Sequence, residues 1–132
     1  MSQPHTNPAD GPQLERALQP GHPEFEEYRA RIQIDQLVAM EAVQSFNGVG
    51  VEITARVKNN TGRTIRGLEM RGAILDRQDS VVHERKVVLV PARQTILEIE
   101  ESINVRILLE GMRKDADRAI PVLEVTAIRF DS

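Results

Sequence analysis

The chain has 132 residues, with 17 Lys and Arg against 20 Asp and Glu, no Cys, no Trp and four aromatics, Phe25, Tyr28, Phe46 and Phe130. That length holds one domain with its own core. The formal charge of −3 excludes a nucleic-acid binder held by a basic surface, and the missing Cys excludes a disulfide framework, a thiol nucleophile and a zinc–thiolate site.

Five of the seven prolines lie in Met1–Glu24, which contains neither Val nor Ile. Such a segment buries too little apolar surface to offset its ordering entropy. Residues 1–26 are therefore expected to form a disordered Pro-rich tail or linker, and 27–132 one folded domain. From Phe25 onward 13 Val and 11 Ile stand against 8 Leu, a β-branched excess that favours strands over helices.

The first expected strand, around Arg31–Val43, changes phase near Gln36-Leu37, the mark of a bulge. Asn47-Gly48 then signals a tight hairpin turn. In the second strand Val49, Val51, Ile53, Ala55 and Val57 alternate strictly with Gly50, Glu52, Thr54, Arg56 and Lys58, giving one inward face. Asn59-Asn60-Thr61-Gly62 closes the next connection. Leu68, Met70, Gly72 and Ile74 form the third strand, with Gly67 as a bulge and Ile65 out of phase. A turn at Asp76–Asp79 leads to Val81–Val90, whose apolar residues occupy both phases and leave its inward face unreadable. Leu97 and Ile99 form a short strand after Pro91, and Ile103, Val105, Ile107 and Leu109 a longer one. Gly111–Arg118 has room for one helical turn. The last strand starts on Leu123, Val125 and Ala127 but switches phase at Ile128 and Phe130. About seven strands at this spacing predict an all-β fold, an antiparallel β-sandwich, with a small barrel as the alternative.

Candidate chemistry is sparse. Asn47-Gly48-Val49-Gly50 precedes a strand, whereas a phosphate loop needs a helix. His83 and Glu84 are adjacent on a strand and face opposite sides, so they cannot share a metal. Asp76 and Asp79 offer a weak cation site, against the ordinary role of Asp in capping a turn. Glu98 and Glu100, beside Glu101, share a strand face. Acid–base work by them requires a cleft that raises one pKa. Ser45, Ser80 and Ser102 lie in no nucleophile context. Arg63, Arg66, Arg71, Arg77 and Arg85 lack an aromatic platform for stacking on bases. Asn59-Asn60-Thr61 matches a glycosylation acceptor but reads as a turn. The residues call for no catalytic group, no metal and no cofactor.

The string Val57-Lys58-Asn59-Asn60-Thr61-Gly62, followed by Ile65, Leu68, Ile74-Leu75-Asp76, Val81-Val82 and Pro91, resembles small bacterial immunoglobulin-like domains of the FxLYD type. Met40, Phe46 and Gly48 resemble an earlier segment of related domains. The resemblance spans about residues 28–130. It implies an immunoglobulin-like sandwich in which the Asn59 amide serves backbone groups across its turn, Gly62 takes positive φ and Asp76 caps its own turn. It implies no catalytic residue and no cofactor. Such domains commonly follow a transmembrane anchor and a linker, which Met1–Glu24 is similar to, so an extracytoplasmic, membrane-anchored setting is expected.

The expected function is a non-enzymatic binding or scaffolding module that engages a protein partner through sheet faces, loops or an edge strand. No nucleic acid and no membrane insertion by this chain are expected, since no stretch reaches the roughly 18–20 apolar residues of a span. The alternatives are a cytoplasmic accessory subunit, a small-ligand or cation-binding domain using the Asp76–Asp79 turn, and an acid–base enzyme using Glu98 or Glu100.

Overall fold

The computed structural model of the chain describes residues 14–45, 48–112 and 120–130. In chain order these form a short helix α1 (Pro23–Arg29) and strands β1 (Ile32–Ser45), β2 (Gly48–Asn59), β3 (Gly67–Leu75), β4 (Val81–Val90), β5 (Ser102–Met112) and β6 (Ile120–Arg129). Every pairing is antiparallel, and the strands make two three-stranded sheets, β1-β2-β5 and β4-β3-β6. The all-β, two-sheet architecture is therefore present.

Six strands are found among the described residues where about seven are expected. The Leu97–Ile99 segment is reduced to a single bridge between Ile65 and Leu97, and Ile99 is exposed. The Asn59 side chain donates to the carbonyls of Leu97 and Glu98, and the Leu97 carbonyl also accepts from the Ile65 N–H of that bridge.

The strict alternation of β2 does what its pattern dictates. Val51, Ile53, Ala55 and Val57 are buried, and the residues between them face outward. Inward residues of β3 meet them from the other sheet. Gly72 lies under the side chains of Ile107 and Ile53, and a Cβ there would stand 3.0 Å from the Ile107 Cδ1. The shared core is aliphatic, with Leu68, Met70, Ile74, Leu89 and Leu109 fully enclosed.

Phase changes mark bulges. β1 shifts register between Asp35 and Val38, where Gln36 takes φ 58°. In β6 the switch comes from Thr126, an extra residue between the partners of Glu69 and Met70. Leu89 is the matching extra residue on β4, which places Val87, Leu89 and Val90 inside. The bulge expected at Gly67 is not there: the extra residues lie on β4 and β6, opposite Leu68–Met70. Gly67 has a different reason to be glycine: Leu14 packs over it, with its Cδ2 2.8 Å from where a Cβ would sit.

Order begins before residue 27. Leu14 is buried, Leu18 bridges to Ile128, and Phe25 is 0% exposed within the core. Leu14, Leu18 and Phe25 of this segment are placed on the sandwich. α1 carries ordinary start signals: Pro23 in its first turn, Glu24 and Glu26 near the positive end of its dipole, and His22 Nδ1 accepting from the Glu24 N–H. The part of the expected tail in 1–13, the Asn47 turn position and, of the helical turn expected in Gly111–Arg118, residues 113–118 lie outside the described residues, while Gly111 and Met112 end β5.

Candidate functional site

A two-sheet sandwich has two long seams where strands of opposite sheets run side by side. Their chemistry differs here, and the register says how.

In an antiparallel ladder alternate residues direct N–H and C=O to opposite sides. The carbonyls of Arg106, Leu108 and Glu110 on β5 point away from β2, because side chains of β4 and of the turn after it reach them. Arg93 Nη1 donates to the Arg106 carbonyl at 2.8 Å and Arg85 Nη1 to that of Leu108 at 3.2 Å. His83 Nε2 lies 2.7 Å from the Glu110 carbonyl. His83 and Arg85 sit on the inward face of β4, opposite Ile74 and Gly72, which lets them reach across. The β4/β5 seam is thus closed by side chains that hydrogen-bond the outer carbonyls of β5.

The same parity orients β1. Glu52 and Thr54, opposite Leu108 and Arg106, turn their backbone groups toward β1, where they face Met40 and Val38. Ala39 and Glu41 therefore direct N–H and C=O away from β2. Among the described residues no strand pairs with that side of β1. Val38 and Met40 are 45% and 65% exposed on the outer face. Beside them, between β1 and β6, a cleft of about 140 Å³ is lined by Ala39, Met40, Glu41, Val51, Ile74 and Pro121. Pro121 on the facing strand has no N–H to offer that edge. The other end of this seam is covered: Leu18 exchanges two hydrogen bonds with Ile128, at 2.7 and 3.1 Å, and Tyr28 stacks edge-on against Phe130 at 4.7 Å.

The cover is held by a buried carboxylate. Glu69, 0% exposed on the outer face of β3, accepts from the Leu14 N–H at 3.2 Å and from the Thr126 hydroxyl at 2.6 Å. The β6 bulge puts Thr126 in reach. Further along that face Arg71 spans Glu84 on β4 (2.5 Å) and Glu124 on β6 (3.0 Å). Partial burial pulls the Arg71 pKa down, but hydrogen bonds and charges from the two carboxylates outweigh it, and the net shift is upward.

The residues singled out from the sequence are mostly structural. Asp76 Oδ1 accepts from the N–H groups of Gln78 and Ser80, both at 2.9 Å, and so caps its own turn. Asp79 follows at φ 64°. Among the described residues no three His, Asp or Glu side chains gather to hold a metal. Glu98 and Glu100 are exposed, and Glu101 accepts from the Glu98 N–H. His83 serves the β5 seam and Glu84 the Arg71 cluster, on opposite faces. Ser80 sits in the Asp76 turn, Ser102 opens β5, and the Ser45 side chain is outside the described ones. The five arginines are dispersed: Arg71 in its ion cluster, Arg85 on the seam, Arg63 beside Tyr28 and Phe130, and Arg66 and Arg77 exposed.

Asn59 is fully buried. Its Nδ2 donates to the carbonyls of Arg63, Leu97 and Glu98, and its Oδ1 accepts from the Thr61 N–H and hydroxyl. Gly62 takes φ 82°. Gly48 opens β2 at φ 134°, and a Cβ there would stand 1.9 Å from the Met112 carbonyl oxygen, so only glycine fits.

The β1 edge was not legible in advance. Met40 and Val38 carry no motif, and exposure of an edge depends on which strands neighbour it. Comparison with protein-family models, with curated proteins and with solved structures returns no match for the chain.

Proposed function

We propose that this chain is a non-enzymatic protein-binding module that receives an extended segment of a partner along β1, by β-augmentation. The observation that carries the reading is the β1/β6 seam. Ala39 directs its backbone groups outward, and the cleft of about 140 Å³ beside it is floored by Val51 and Ile74. In strand addition the main chain supplies affinity and pockets for alternate side chains supply specificity. An added strand would set one apolar side chain in the cleft and the next against Met40 or Val38. The arrangement fits an immunoglobulin-like sandwich akin to FxLYD-type domains in an extracytoplasmic, membrane-anchored setting, which are part of the same reading. Among the described residues no helix is long and apolar enough to cross a membrane.

A displayed library of extended peptides tests it, panned in parallel on the protein and on Ala39→Pro. Proline at 39 removes an outward N–H and leaves the β1–β2 bonds in place. Selected peptides should carry apolar residues two apart and lose binding to the proline variant. Peptides that bind both proteins equally, or a library that yields no binder, would overturn the reading.

A further inference from the structure

A chain with no Cys and no Trp leaves its methionines, Met1, Met40, Met70 and Met112, as the side chains most readily oxidised by peroxide. Burial divides them. Met70 and Met112 are 0% and 3% exposed and belong to the core. Met40 is 65% exposed, the highest value of any large apolar side chain among the described residues. Met1 lies outside the described residues.

The position of Met40 gives its oxidation a consequence. It follows Ala39 on β1, stands opposite Glu52 of β2, and lines the cleft of about 140 Å³ together with Val51, Ile74 and Pro121. A thioether is apolar, flexible and polarizable, so it moulds itself to an apolar surface laid over it. An oxygen on Sδ replaces that surface with a strong hydrogen-bond acceptor. Directly across the ladder is the Glu52 carboxylate, an acceptor already engaged by Arg106 Nε, which has no proton to offer the new oxygen. An apolar strand docked over the sulfoxide would strip it of water and give nothing back.

We propose that Met40 is a redox modification site and that its oxidation switches the β1 edge off. The switch rests on the strand-addition reading; the oxidation chemistry does not. Hydrogen peroxide transfers one oxygen atom to Sδ: the O–O bond breaks, an S–O bond forms, the sulfur gives up two electrons, and water leaves. Return requires two thiols from outside, oxidised to a disulfide while the oxygen departs as water, because this chain has no Cys of its own.

Graded hydrogen peroxide on the full chain, followed by peptide mass mapping, tests the chemistry. Met40 should gain one oxygen about tenfold faster, or more, than Met70 and Met112. The oxidised chain should elute earlier from a hydrophobic-interaction column. Met40→Leu should elute at the same place before and after peroxide, which removes Met1 as the cause. Peptides panned on the untreated chain should bind the sulfoxide form about tenfold more weakly, and bound peptide should slow the oxidation of Met40. For Met40→Leu the peptide affinities before and after peroxide should agree within about twofold. Met70 or Met112 oxidising as fast as Met40, elution unmoved by peroxide, or equal peptide affinity for thioether and sulfoxide forms would overturn the proposal. A library without binders removes the edge reading and the switch with it, and the oxidation site then stands or falls on the mass map alone.

Discussion

Where β4 meets β5, nitrogen-bearing side chains of Arg93, Arg85 and His83 lie against three successive outer carbonyls of β5. Where β1 meets β6, one end is covered by the Leu18–Ile128 bridge and the Tyr28–Phe130 pair, and the other holds a small apolar cleft beside outward backbone groups. Exposed sheet edges invite pairing with other chains, and proteins blunt them with charged side chains and prolines. Here the blunting is selective. The contrast teaches that an edge is neutralised when its acceptors are individually met, and among the described residues no strand pairs with the outer side of β1 around Ala39.

The comparison can be broken most severely at Gly48. Its Cβ-free backbone lets the end of β5 close down at Met112, beside the seam that His83 serves. Gly48→Ala should cost about 3 kcal/mol, since a positive φ and a backbone collision must both be relieved, measured by urea unfolding. Next comes the covered end of the β1/β6 seam. Glu69→Ala leaves the Leu14 N–H and the Thr126 hydroxyl without their acceptor and should cost about 2 kcal/mol. Limited proteolysis should then cut within residues 14–18, and Glu69→Gln, which keeps an acceptor, should be cut more slowly.

Opening the closed seam has a smaller thermodynamic effect and a larger colloidal one. Arg85→Met with Arg93→Met should cost about 1 kcal/mol and bare two β5 carbonyls. Sedimentation velocity should then show self-association that the parent chain lacks at equal concentration. The mildest expected change is Ala39→Pro, at less than about 1 kcal/mol, because the lost N–H bonds no strand. A melting loss as large as that of Glu69→Ala would show that β1 has its edge engaged after all.

The legible parts of the fold were those fixed by local periodicity. Strict alternation from Val49 to Val57 defines β2, the phase break at Gln36-Leu37 coincides with a register shift, and the one read after Ala127 falls just before it, at Thr126. β4 could not be oriented because the extra residue Leu89 lets Val87, Leu89 and Val90 all turn inward. The Leu97–Ile99 strand shrank to one bridge at Leu97, whose carbonyl a distant side chain, Asn59, shares with the Ile65 N–H. α1 was missed although Pro23, Glu24 and Glu26 are start signals. Proline density in the segment outweighed them, and the burial of Phe25 is a tertiary event. The β1/β6 cleft had no signature at all: Ala39 and Pro121 become neighbours only when two sheets pack.

Tyr28 is the single tyrosine, and there is no tryptophan. It packs against Phe130 and lies beneath Arg31 and Arg63, where the helix joins the last strand. The intrinsic ultraviolet emission of the protein is therefore a local reporter. It reads the docking of α1 against the last strand, and it is blind to events at the far tip of the sheets. An optical melt of this chain records when its amino-terminal clasp lets go, and only a backbone probe records when the sandwich does.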